Sequence, residues 1–172
     1  MQLSGSSLKL GLASLVLSVG LPFSAHAQTG QDNAPPPSFQ QCVDNPPEGD
    51  LSACIGLKVQ ECDTSQGTTA QIVGCVQEET RYWSDRMDQS LAELQSALAA
   101  QDNGSPYKLA TYLGQSQDAW TAWKDSNCSF YSYSLRGGSM GRILQADCEL
   151  STVADRFFEI ESMFAIALEP QE

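Results

Sequence analysis

QDAWTAWKDSNCSFYSYSLRGGSMGRILQADC, residues 117–148, holds a break with a cysteine on either side of it. Gly137-Gly138 reads as a helix C-terminus, because glycine tolerates the positive φ that such ends adopt. Cys128 and Cys148 are equidistant from Gly138. In two antiparallel helices joined by a short turn, equidistant residues face each other, so a 128–148 disulfide across a helical hairpin is predicted.

Working outward, the apolar residues keep helical spacing. Leu109, Leu113, Trp120, Trp123, Asn127 and Phe130 form one stripe leading into the break. Beyond it, Ser139 is expected to cap a third helix with Ile143, Leu144, Leu150, Phe157, Ile160, Phe164 and Leu168 inward, and Pro170 follows its end. Upstream, Ile72, Val76, Trp83, Met87, Leu91, Leu94 and Leu98 place a long helix over 69–101. Asp102-Asn103-Gly104 ends it, and Ser105 with Pro106 reads as the cap and first position of the next helix. A shorter helix is expected over 51–62. No segment shows sustained strand alternation. The fold class is therefore all-α: three long antiparallel helices plus a short disulfide-stapled N-terminal helical segment, forming a single domain over 42–172.

The N-terminus has a different character. Lys9 precedes an apolar run that stops at Pro22, and Ala25-His26-Ala27 has the small-x-small pattern of a cleavage site. Residues 1–27 are read as a secretory signal peptide. The run is too short for the roughly 20 residues of a membrane span, so no membrane insertion is expected after cleavage. The proline-rich residues 28–41 are expected to be a flexible leader.

Cleavage would leave eight basic residues against 21 acidic ones, and would remove His26, the one histidine. A chain without histidine cannot build a Ser-His-Asp triad or a His-ligated zinc site. The acidity disfavours nucleic acid, because phosphate contacts need lysine and arginine. It suits a basic partner or simply a well-solvated surface.

Cys42, Cys54, Cys62, Cys75, Cys128 and Cys148 make an even set in an exported chain, which points to three disulfides. Cys42 and Cys54 flank NPPEGD (45–50), and Cys62 and Cys75 flank DTSQGTT (63–69). Cys54 and Cys62 on one helix would stand about 12 Å apart, too far to bridge. Pairs 42–54, 62–75 and 128–148 are therefore expected, with a nested arrangement of the N-terminal four still open. There is no C-x-x-C and no tight metal-type cluster, so no cofactor and no metal are expected.

Trp120 and Trp123 share the stripe with Asn127 and Phe130 and are read as buried, with Lys124 at the edge and only its stem packed. Asp125 and Arg156 are expected to form a partly buried pair between the second and third long helices. Asp125 has no neighbouring base, nucleophile or ligand set, so no catalytic residue is assigned. Tyr131, Tyr133 and Arg136, beside the staple and the glycine turn, are the best candidate binding surface, with capping of the core's end as the simpler role.

Gln117-x-x-Trp120-x-x-Trp123-Lys124-Asp125-x-x-Cys128, continued by Gly137-Gly138-Ser139-Met140, Cys148 and Arg156, resembles the central motif of the lysozyme inhibitor LprI N-terminal domain family. Cys75, Glu79 and Trp83 are similar to a variant of that family with extra N-terminal cysteines. Met87-Asp88 and Leu91 stand where the family often has Leu-Asn and a tyrosine, and Val153 stands in place of a common threonine. The resemblance implies a helical, disulfide-bonded envelope protein, periplasmic or secreted, with no catalytic residues to carry over. It implies a non-enzymatic binding protein, a lysozyme inhibitor acting on a basic envelope-active partner. The alternative is a small-ligand or envelope-stress binding module without lysozyme activity, which needs a pocket between the helices.

Overall fold

A computed structural model describes residues 37–62 and 67–167. The signal peptide expected over 1–27, most of the leader, and Leu168 and Pro170 lie outside the described residues. The described part is helical: α1 (Phe39–Asp44), α2 (Leu57–Glu61), α3 (Thr69–Gln101), α4 (Leu109–Ser134) and α5 (Ser139–Ala167), with short 3-10 turns at Pro47–Gly49 and Leu51–Cys54. Among these residues there is no strand, and no helix is long and apolar enough to cross a membrane.

Residues 38–41, expected within a flexible leader, are structured. Ser38 forms a capping box with Gln41, and Phe39 is buried, so ordered chain is present before Cys42. The cause is aromatic packing. The Phe39 ring meets Tyr82 edge-on at 4.8 Å and Trp83 at 6.2 Å.

α3 has the expected bounds, and Thr68 caps it through a second capping box with Gln71. Its stripe of Val76, Trp83, Met87, Leu94 and Leu98 is buried. α5 supplies the other half of the core with Ala146, Leu150, Val153, Ala154, Phe157 and Ile160. The small residues Ala146 and Ala154 let α5 lie close along α3, the most extensive contact in the molecule. Leu144, expected inward, is exposed.

α4 starts later than the sequence suggests. Ser105 does not cap it. Asp102, at the end of α3, accepts from Leu109 N–H and Ala110 N–H, both at 2.9 Å. A fixed carboxylate bonding two orphan amides outcompetes a single serine hydroxyl, which here accepts from Tyr107 N–H instead. At α5, Ser139 is the first helical residue rather than the cap, and Gly138 C=O accepts from Arg142 N–H. The helix expected over 51–62 is interrupted by Gly56, whose φ of 87° is left-handed, so it divides into a 3-10 turn and α2.

Three disulfides pair all six cysteines: Cys42–Cys54, Cys62–Cys75 and Cys128–Cys148, with Cα–Cα separations of 5.7, 6.2 and 5.4 Å. These are the pairs that the turns favour. The last closes 20 residues of sequence around the α4–α5 turn. Replacing Cys128 and Cys148 together by alanine is expected to lower unfolding stability by about 3 kcal/mol, since the open chain regains loop entropy. Urea unfolding of the oxidised protein and the double variant measures this, and an unchanged midpoint would mean that the packed helices alone fix the hairpin.

Candidate functional site

The residues singled out in 117–148 fall into two groups. The first surrounds Trp120 at the α4–α5 contact. Arg156 on α5 is only 4% exposed. Its Nε donates to Gln117 Oε1 at 3.0 Å, its Nη2 to Ser116 Oγ at 3.3 Å and its Nη1 to Glu159 Oε2 at 2.7 Å. Its guanidinium carbon lies 5.7 Å from the Trp120 ring centre, and Lys124 Nζ lies 6.0 Å from the same ring. The half-buried indole thus faces two cations, an arrangement favoured by the ring quadrupole.

The expected Asp125–Arg156 pair does not form. Asp125 has its side chain 65% exposed and meets the neighbouring Lys124 at 2.7 Å. At 100° per residue, Asp125 is rotated roughly 60° from Cys128 around α4, on the side away from Trp120. Arg156 faces Trp120 and Gln117, one to two turns along. The cation is therefore satisfied by a neutral amide, a hydroxyl and the next turn of its own helix.

Trp123 is not buried either. It is 54% exposed, and Phe130, on the same stripe, is 66% exposed. From the staple at Cys128, which faces α5, Trp123 lies roughly 140° and Phe130 roughly 160° around the helix, whereas Trp120 lies roughly 80° away. Among the described residues α4 packs mainly on α5 and on the C-terminal half of α3, and the stripe's centre near Trp123 and Phe130 stays in water. Leu109 and Asn127 are exposed as well, although Asn127 Nδ2 still reaches Cys148 Sγ on α5 at 3.6 Å.

The second group is the end of the α4–α5 hairpin. Tyr131 and Tyr133 are exposed, the latter by 80%, and so are Leu135, Arg136, Met140 and Leu144. The tyrosines do not cap the end of the core. The turn is tightly bonded: Gly137 N–H donates to Ser132 C=O at 2.8 Å and Arg136 N–H to Tyr133 C=O at 2.9 Å. Both Arg136 and Gly137 are left-handed, with φ of 54° and 70°. At Gly141 the helices approach so closely that a Cβ would stand 3.1 Å from Ser132 Cα and from Leu135 Cβ. Met140 and Leu144 were not among the residues expected here, although large apolar residues beside a double-glycine turn are a signal of this kind.

Two carboxyls have displaced acidities. Asp147, next to Cys148, is held above the ordinary carboxylate range by partial burial. Asp50, far from the hairpin, is lowered by the Ser52 hydroxyl and then by Ser52 N–H. Neither belongs to a nucleophile–base arrangement. Among the described residues no three His, Cys, Asp or Glu side chains gather to hold a metal ion. What the hairpin end can offer chemically is a rigid contact surface of aromatic, apolar and guanidinium groups.

A family model described as lysozyme inhibitor LprI matches residues 60–159, a span that contains α3, α4, the turn and most of α5. An uncharacterized 17.7 kDa protein in the puhA 5'region of Rhodobacter capsulatus is 23% identical over 120 residues, covering 64% of this chain and 74% of that protein. No solved structure matches.

Proposed function

The chain belongs to the LprI lysozyme-inhibitor family, and on that premise we propose that it is an exported, non-enzymatic binding protein that inhibits lysozyme. The observation that carries this reading is the uncovered hairpin end, where Tyr131, Tyr133 and Arg136 are held out on two stapled helices. Rigid tyrosines and arginine contribute large contact area at low entropic cost, which is what an inhibitor's contact surface needs. Three disulfides suit an oxidising compartment, the periplasm or the exterior. The excess of acidic residues would speed encounter with a basic enzyme.

Titration of the oxidised protein with lysozyme, at low and at physiological salt, tests the reading. The expected result is a one-to-one complex with loss of lytic activity, weakening as salt rises. Absence of binding at both salts would refute it.

A second reading rests on a separate observation. At the opposite end of the bundle, Leu94, Leu98, Leu109, Leu113 and Met163 line an open, largely apolar groove of about 270 Å³. That feature suits the alternative, a small-ligand or envelope-stress binding module. Saturable uptake of an apolar fluorescent probe, lost in Leu113→Asp but not in Tyr133→Ala, would favour it over lysozyme inhibition.

A further inference from the structure

The acidic residues are not spread evenly. All 21 lie outside residues 126–146, while Arg136 and Arg142 lie inside that stretch. The hairpin end is therefore a basic, aromatic island on a strongly acidic molecule. Arg136 is exposed and makes no ion pair among the described residues, where the ion pairs are Lys124–Asp125 and Arg156–Glu159.

This inference rests on the lysozyme-binding reading, and it concerns which part of the enzyme the hairpin meets. A basic enzyme surface suits the acidic body of this protein but opposes its hairpin end. The exception on a glycoside hydrolase is the substrate cleft, where a pair of carboxyl groups flanks the scissile bond. Charge complementarity thus sends the hairpin end into the cleft and leaves the acidic flanks against the basic rim. We propose that Arg136 enters the substrate cleft of lysozyme and pairs with its catalytic carboxylates, so that inhibition is by occupation of the substrate site. A guanidinium is the suitable cation, because its planar fork meets a carboxylate through two parallel hydrogen bonds.

The local backbone agrees with such a role. A non-glycine residue at φ 54° is strained, and here it stands directly before a glycine that shares the left-handed region. The turn's backbone bonds, Arg136 N–H to Tyr133 C=O and Gly137 N–H to Ser132 C=O, hold Arg136 in this conformation. The Cys128–Cys148 staple and the close approach at Gly141 fix the apex relative to both helices, so little ordering entropy is lost on entry. Tyr133 and Phe130, three and six residues before the arginine and both widely exposed, add flat aromatic faces to the same hairpin end.

The test measures the affinity of the oxidised protein for lysozyme, for a lysozyme whose catalytic glutamate is changed to glutamine, and for lysozyme saturated with an N-acetylglucosamine trimer. Arg136→Glu is expected to weaken binding by at least about 100-fold. Arg136→Gly fits the same φ, so its thermal midpoint should be no lower than that of the parent while binding falls about 10- to 30-fold. The trimer should compete, and changing the catalytic glutamate should weaken the parent far more than Arg136→Gly. If the parent binds but Arg136→Glu stays within about threefold, or the trimer leaves affinity unchanged, the cleft assignment is overturned while the inhibitor reading stands. If the parent does not bind lysozyme at all, both fall.

Discussion

Glu79→Ala is expected to lower the unfolding free energy by about 4 kcal/mol, a large part of the stability of a domain this size. Glu79 is fully buried on α3. Its Oε1 accepts from Gly56 N–H at 2.6 Å and from Trp83 Nε1–H at 3.1 Å, and its Oε2 accepts from Val59 N–H at 3.1 Å. One carboxylate thus satisfies the two amides that the left-handed kink at Gly56 frees and the indole of the central tryptophan. Alanine would strand all three donors and leave a void beneath the N-terminal segment. Each lost bond to a charged acceptor is worth about 1.5–3 kcal/mol, offset partly by no longer burying a charge. Glu79→Gln keeps the volume but turns an amide NH₂ toward N–H donors, so it should recover less than half of the loss. Urea unfolding followed by tryptophan fluorescence gives the number. Amide exchange at Gly56 and Val59 shows whether the N-terminal segment detaches first. A loss below about 1 kcal/mol would mean that water replaces the carboxylate without penalty.

The same residues show what a sequence can and cannot convey. The stripe from Ile72 to Leu98 was legible because α3 has partners along most of its length, so its period reports burial directly. The disulfide pairs were legible because each straddles a turn. Trp123 was misread because a stripe specifies a face but not whether a neighbour covers it; α4 leans on α5 through Leu113 and Cys128 and leaves Trp123 and Phe130 in water. The cap of α4 was misread because its acceptor, Asp102, comes from the preceding helix. Glu79 was visible in the motif, but its task was not, since its donors Gly56 and Val59 lie more than five turns of helix away in sequence. The hairpin end carries Tyr131, Tyr133 and Arg136, all of them exposed. Its exposure depended on how far α3 reaches, which no local pattern encodes.

Arg156 distinguishes the pairing that sequence suggests from the one that packing selects. Arg156→Ala is expected to cost about 4 kcal/mol, and Asp125→Ala less than about 0.5 kcal/mol. Two physical contributions make up the first value. Removing a long buried side chain opens a void between α4 and α5, for which about 2–5 kcal/mol is usual. The guanidinium also leaves Gln117 Oε1 without its donor and Trp120 without the closer of its two cations. Glu159 contributes little, because its carboxylate is half-exposed and rests in solvent when the arginine is gone. A double-mutant cycle between Arg156 and Glu159 should therefore return a coupling below about 1 kcal/mol. Arg156→Met, which restores most of the packed volume without the charge, should recover about half of the alanine loss. If Asp125→Ala proved as costly as Arg156→Ala, the two helices would be in a different register from the one that Gln117, Trp120 and the Cys128–Cys148 bridge define together.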